Sequence, residues 1–103
     1  MHLELLAVED AVPRHGDRSI ARLAALSDGG TDRAFHTALC APCTMALLTT
    51  TIDRMWDRVW QARAEPTAAA RREHRRIVAA VRAGDTQAAV AALRAHRAAT
   101  FDR

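Results

Sequence analysis

RREHRRIVAAVRAGDTQAAVAALRAH, residues 71–96, holds two amphipathic helical patterns separated by almost no connection. In the first, Ala70, His74, Ile77 and Val81 recur at spacings of three and four, while Arg71, Arg72, Arg75, Arg76 and Arg82 fall mostly outside that stripe. In the second, Ala89, Leu93, His96 and Thr100 share a face. Gly84 suits the position just past a helix end, where a left-handed residue closes the hydrogen-bond ladder, and Asp85 or Thr86 can cap the helix that follows. So short a turn folds the two helices into an antiparallel hairpin. His74 lies eleven residues before Asp85 and His96 eleven after it. At about 1.5 Å per residue both sit roughly 16 Å from the turn, level with each other on the inward stripes. They form a candidate metal pair, although a buried histidine can also be a plain packing residue that hydrogen-bonds its neighbours.

The remaining segments read as helices too. Residues 3–12 carry Leu3, Leu6 and Ala7 in helical register and stop near Pro13. Arg14-His15-Gly16-Asp17 reads as a turn, and residues 19–26 as a short helix with Ile20, Leu23 and Ala24 on one side. Ser27-Asp28-Gly29-Gly30 is a stop signal, Thr31 an N-cap for a third helix, and Pro42 its end. Residues 44–63 place Met45, Leu48, Ile52, Met55, Trp56, Val59 and Trp60 on a core-facing stripe, with Asp53, Arg54, Asp57 and Arg58 opposite. Those Met and Trp residues read as packing rather than as a cofactor box. Glu65-Pro66 opens the fifth helix. The fold class is all-α, an antiparallel helical bundle of about five to six helices.

Composition agrees. The chain of 103 residues is half hydrophobic and only 4% aromatic, dominated by helix formers. Its length suits one core and one domain. All 15 basic residues are arginine and the net charge is +3, spread along helix faces rather than gathered into a patch. The absence of an 18-residue apolar run argues against a membrane span. The acidic start MHLELLAVED lacks the layout of a signal peptide, so a cytoplasmic location is expected. Cys40 and Cys43 make no disulfide framework. As a C-x-x-C pair they lack the second pair of a zinc knuckle and a βαβ context, and read as small side chains at a Pro-terminated helix end.

Asp32 and His36 stand one helical turn apart and can point at one target, and His36 shares its face with Leu39 and Cys40. An acid in a first helical turn also has a simpler role, favouring the helix dipole. Taken together, Asp32, His36, His74 and His96 are three imidazoles and one carboxylate. Imidazole suits Zn, Ni, Cu or Fe, and the carboxylate admits Mn.

Asp32-x-x-Phe35-His36, Glu73-His74-x-x-Ile77, Ala83-Gly84-Asp85 and Leu93-x-x-His96 together resemble the FCD domain, the C-terminal effector-sensing domain of FadR-type regulators in the GntR family of transcription factors. The resemblance covers residues 31 to about 100, with residues 1–30 expected to form N-terminal helices of the same domain that match only loosely, and 31–103 the metal- and effector-binding bundle. It departs from the family where Gly29-Gly30 precedes the first metal helix, and at Cys43-Thr44-Met45-Ala46. It implies Asp32, His36, His74 and His96 as ligands of a divalent metal, with Zn, Ni or Mn expected. Open metal positions would take a small carboxylate effector. It further implies a homodimer, and no DNA binding by this chain alone, since the family's winged helix has no counterpart in these residues.

The expected function is therefore non-catalytic sensing. A metal-dependent hydrolase is the rival from another class. It lacks a convincing base, because Glu73 faces about 100° from His74. A metal-free helical dimerisation module is the other alternative. Arg33 and Arg97 adjoin ligand positions but are expected to point elsewhere. Metal binding is expected to weaken as pH falls through about 6, near the imidazole reference value.

Overall fold

The computed structural model of the chain describes residues 2–58 and 65–102, with the side chains of His2 and of residues 100–102 excepted. Among them are six α-helices and no strand: α1 (His2–Ala11), α2 (Asp17–Gly29), α3 (Asp32–Cys40), α4 (Ala46–Trp56), α5 (Ala68–Arg82) and α6 (Thr86–Asp102), with a 3-10 turn at Val12–Arg14. The all-helical expectation holds.

The hairpin of α5 and α6 is the most extensive helix pairing. Its turn is made by three residues. Gly84 takes φ +69°, its N–H donates to Val81 O at 3.0 Å, and Asp85 N–H reaches Ala80 O at 3.0 Å. This is the Schellman closure that a left-handed glycine permits. The same Asp85 then caps α6, its Oδ1 accepting from Ala88 N–H at 3.0 Å. One helix ends and the next begins with no spare residue, so the register of His74 against His96 is fixed locally.

Around the hairpin, α2 packs on α5, α1 on α6, and α3 bridges α1 and α2 while contacting α4. Phe35, Leu39, Leu23, Ile77, Val81, Leu93 and Val8 meet in one core. Arg71 donates to Ser27 O and Arg75 pairs with Asp28 at 2.8 Å, so two arginines of the RREHRR run fasten α5 to the end of α2.

Several boundaries move. The second helix starts at Asp17 because Gly16 serves as its N-cap, its N–H held by Ser19 Oγ at 3.0 Å. It also runs through the expected stop, since Ser27 bonds back to Ala24 O at 2.7 Å and stays helical. Thr67, not Glu65-Pro66, opens α5, its hydroxyl accepting from Ala70 N–H at 3.1 Å. Thr31 does cap α3, accepting from Ala34 N–H at 3.1 Å.

The fourth helix differs most. It ends at Trp56, and of its predicted stripe only Ile52 and Trp56 are buried, while Met45 and Met55 are exposed. Its start is delayed because the Asp10 carboxylate holds Thr44 by both N–H and hydroxyl, at 2.7 and 3.0 Å. Among the described residues the helix packs chiefly on α1 and α3, so its apolar stripe is wider than the surface it covers. Val59, Trp60 and the stretch to residue 63 lie outside the described residues, as does the side chain of Thr100. In α1, Leu6 is exposed and Glu4 is buried in its stead. Among the described residues no helix is long and apolar enough to cross a membrane.

Candidate metal centre

The Thr31 cap places Asp32 in the first turn of α3 and His36 one turn later. The hairpin brings His74 and His96 to the same level, and α3 crosses at that height. Asp32, His36, His74 and His96 each present a ligand atom, and all four atoms lie within 4.8 Å of one another. Their rings form a triangle, with centroids 5.3 Å (His36 to His74), 5.4 Å (His36 to His96) and 4.8 Å (His74 to His96) apart. All three histidines are buried, whereas 33% of the Asp32 side chain remains exposed. Phe35 stacks on His74 at 4.2 Å and Trp56 lies 5.4 Å from His36, so the walls are apolar.

The polar atoms in the middle tell more than their proximity. Asp32 Oδ1 lies 3.3 Å from His36 Nε2 and 3.2 Å from His74 Nε2. Neither approach has hydrogen-bond geometry, and Asp32 Oδ1 and both ring nitrogens of His74 have no hydrogen-bond partner among the described residues. Buried polar atoms normally find partners, because an unsatisfied one costs about 1–3 kcal/mol. Of these, Asp32 Oδ1 and His74 Nε2 stand 3.2 Å apart, a pair that a shared cation would satisfy. Two ligand atoms each about 2.1 Å from one ion stand at most about 4.2 Å apart, so a pair at the full 4.8 Å would have to close by at least about 0.6 Å. The donor set of three imidazoles and a carboxylate fits a divalent metal.

Behind the cluster stand residues that sequence reasoning missed. Glu4 of α1 is 0% exposed. Its Oε2 accepts from His36 Nδ1 at 2.7 Å, and its Oε1 accepts from Arg97 Nε at 3.1 Å. Arg97 therefore points inward, contrary to expectation. Glu73 does leave the face of His74, yet it crosses to α6 and accepts from His96 Nδ1 at 2.6 Å. Arg33 behaves as expected, pairing outward with Asp53 of α4 and with Asp57 just past its end, at 2.9 and 2.8 Å. The signal for Glu4 was present in the sequence: it occupies the register of Ala7, Val8 and Ala11, an acid within an apolar stripe.

Electrostatics follow from these contacts. Burial alone would push the His36 imidazole down, but the charge of Glu4, the close approach of the Asp32 carboxylate and the hydrogen bond to Glu4 outweigh it and raise it to about 9. For Asp32 burial works upward, and the close approach and charges of His36 and His74 overcome it, holding the carboxyl well below its usual range. Glu4 is lowered in the same way, its burial outweighed by His36 and Arg97. His96 is lowered, chiefly by burial, with the charges of His36 and His74 adding to it against the Glu73 hydrogen bond. Cys40 and Cys43 are free thiols. Burial first, then the Glu4 charge, push the Cys40 thiol up, so it is a packing group in the core.

A cleft of about 350 Å³ opens between α3 and α4, bordered by Thr37, Cys40, Thr49, Ile52, Asp53 and Trp56. The Trp56 Nε1–H has no hydrogen-bond partner among the described residues.

The family model of the FCD domain matches residues 1–99. The chain belongs to the FCD domain family. FCD domains are the effector-sensing domains of GntR-family transcription regulators, and they are regulatory ligand-binding units rather than enzymes. Comparison with curated proteins and with solved structures finds no match.

Proposed function

We propose that this domain binds a divalent metal through Asp32, His36, His74 and His96, and through the metal a small carboxylate effector. One observation carries the reading: four ligand atoms from three helices within 4.8 Å, two of them, Asp32 Oδ1 and a His74 nitrogen, buried without a hydrogen-bond partner among the described residues. These residues would hold Zn, Ni or Mn, which when bound would supply a Lewis-acid anchor for a carboxylate, and the partly exposed Asp32 leaves that side of the cluster accessible. The site binds and does not catalyse. Glu4 and Glu73 both lie against imidazole Nδ1 atoms, the place of ligand-orienting groups rather than of a base facing substrate.

The domain acts in the cytoplasm as a homodimer, and on its own does not read DNA. Its arginines support the last point: Arg33, Arg71, Arg75 and Arg97 are engaged within the fold. The test is metal analysis of the purified protein, followed by melting with and without Zn²⁺, Ni²⁺ and Mn²⁺. Wild type is expected to gain stability with at least one ion, and a panel of small di- and tricarboxylates to add to that gain only when metal is present. A wild type that holds no metal and shows no shift with any ion excludes the reading.

A further inference from the structure

The four candidate ligands come from α3, α5 and α6, yet the group that grips one of them from behind belongs to α1. Glu4 is completely buried. It spans two helices, accepting from His36 Nδ1 on α3 at 2.7 Å and from Arg97 on α6 at 3.0 and 3.1 Å. A carboxylate on Nδ1 fixes the imidazole plane and makes that nitrogen the donor, so Nε2, the nitrogen 3.3 Å from Asp32 Oδ1, is the one turned toward the cluster.

We propose that Glu4 is a positioning residue through which metal occupancy and the docking of α1 control each other. The proposal rests on the metal reading above. An ion on Nε2 polarises the ring and strengthens the Nδ1–H bond to Glu4, and through it the seat of α1 on α3 and α6. Linkage makes the effect reciprocal: the factor by which a docked Glu4 raises metal affinity is the factor by which metal favours the docked α1. A further polar tie of α1, from Asp10 to Thr44, lies at the far end of the helix and touches no ligand. Metal is thereby sensed at α1 without α1 supplying a ligand.

Three measurements on the full chain test this. Zn²⁺ affinity is read by competition with a chromophoric chelator for wild type, Glu4→Gln and Asp10→Asn. Amide exchange across residues 5–11 is followed with and without Zn²⁺. Ring ¹⁵N shifts of His36 in the Zn²⁺ form report which nitrogen carries the proton. The expected results are a loss of affinity of about 10–100-fold in Glu4→Gln, wild-type affinity in Asp10→Asn, exchange in α1 slowed by Zn²⁺ in wild type and much less in Glu4→Gln, and a protonated Nδ1. Equal affinity in Glu4→Gln, an α1 exchange rate indifferent to Zn²⁺, or an equal loss in Asp10→Asn overturns the proposal while leaving the metal site standing. Wild type without Zn²⁺ binding removes the metal reading itself and the proposal with it. Should Glu4→Gln fail to fold, the wild-type exchange and ¹⁵N shifts still decide.

Discussion

His36 touches two acids, Glu4 at Nδ1 and Asp32 near Nε2, and its pH response follows from holding both. Its folded value, about 9, lies above the ordinary 6.5. Without metal, the stability it contributes is therefore complete below 6.5 and is lost as pH rises through about 9. Asp32 and Glu4 are depressed, so their contributions are present above the usual carboxyl range and are lost as pH falls through their folded values. Metal reverses the first trend, because the ion must displace the His36 proton. Affinity is expected to climb with pH until about 9, by up to about tenfold per unit for one proton, and not to level off near 6 as the bare imidazole value suggested. Isothermal titration at pH 6, 7, 8 and 9, with proton release measured in two buffers, checks the slope. At the same scale, His74→Ala and His96→Ala are each expected to abolish most of the metal-induced rise in melting temperature. Asp32→Ala is expected to cost less, since its side chain is 33% exposed and a water or effector oxygen can take the place of its single carboxylate contact.

Among elements, the hairpin of α5 and α6 sets the geometry of the site. Its turn depends on Gly84 at φ +69°, where an L side chain is strained. Gly84→Ala should cost about 1–2 kcal/mol, the penalty of a left-handed backbone with a Cβ. In a domain of this size that corresponds to a fall in melting temperature of roughly 4–16 °C. Gly29→Ala is the control, because a Cβ there meets nothing within 4 Å and φ is ordinary. Thermal melts of the two variants should therefore separate clearly. The hairpin was legible in the sequence because its information is local: glycine, cap and periodicity lie within a few residues of one another. The end of α4 was not, since periodicity alone does not say how much of an apolar stripe finds a partner. Ile52 and Trp56 did, and Met45 and Met55 did not.

On the scale of the whole molecule, the unmatched part of that stripe bears on assembly. Leu47 is 82% exposed, and Met45, Met55 and Leu6 are exposed with it, more large apolar surface than scattered single residues need. Sedimentation equilibrium at micromolar concentration should show a dimer or larger species, and Leu47→Glu should shift it toward monomer. A clean monomer across that range counts against the pairing. Toward nucleic acid the expectation is opposite. With several arginines engaged inside the fold, only weak association that disappears at physiological salt should be seen in a fluorescence-anisotropy titration with duplex DNA.

The sequence by itself determined the helical class, the hairpin register of His74 against His96 and the shared face of Asp32 and His36, because helical periodicity and chain spacing are enough to say which side chains share a face and a height. That the four form one ligand set was implied there by the family resemblance. Only the tertiary structure decided what stands behind them. Glu4 is 32 positions from His36 and 93 from Arg97, and a single chain read in order carries no measure of such distances. Whether an acid in an apolar stripe is a defect or a buried partner depends on which cation the fold sets against it. Here the packing of α1 on α3 and α6 supplied an imidazole and a guanidinium at hydrogen-bond distance, and that turned the residue least suited to a core into the one that orients the candidate site.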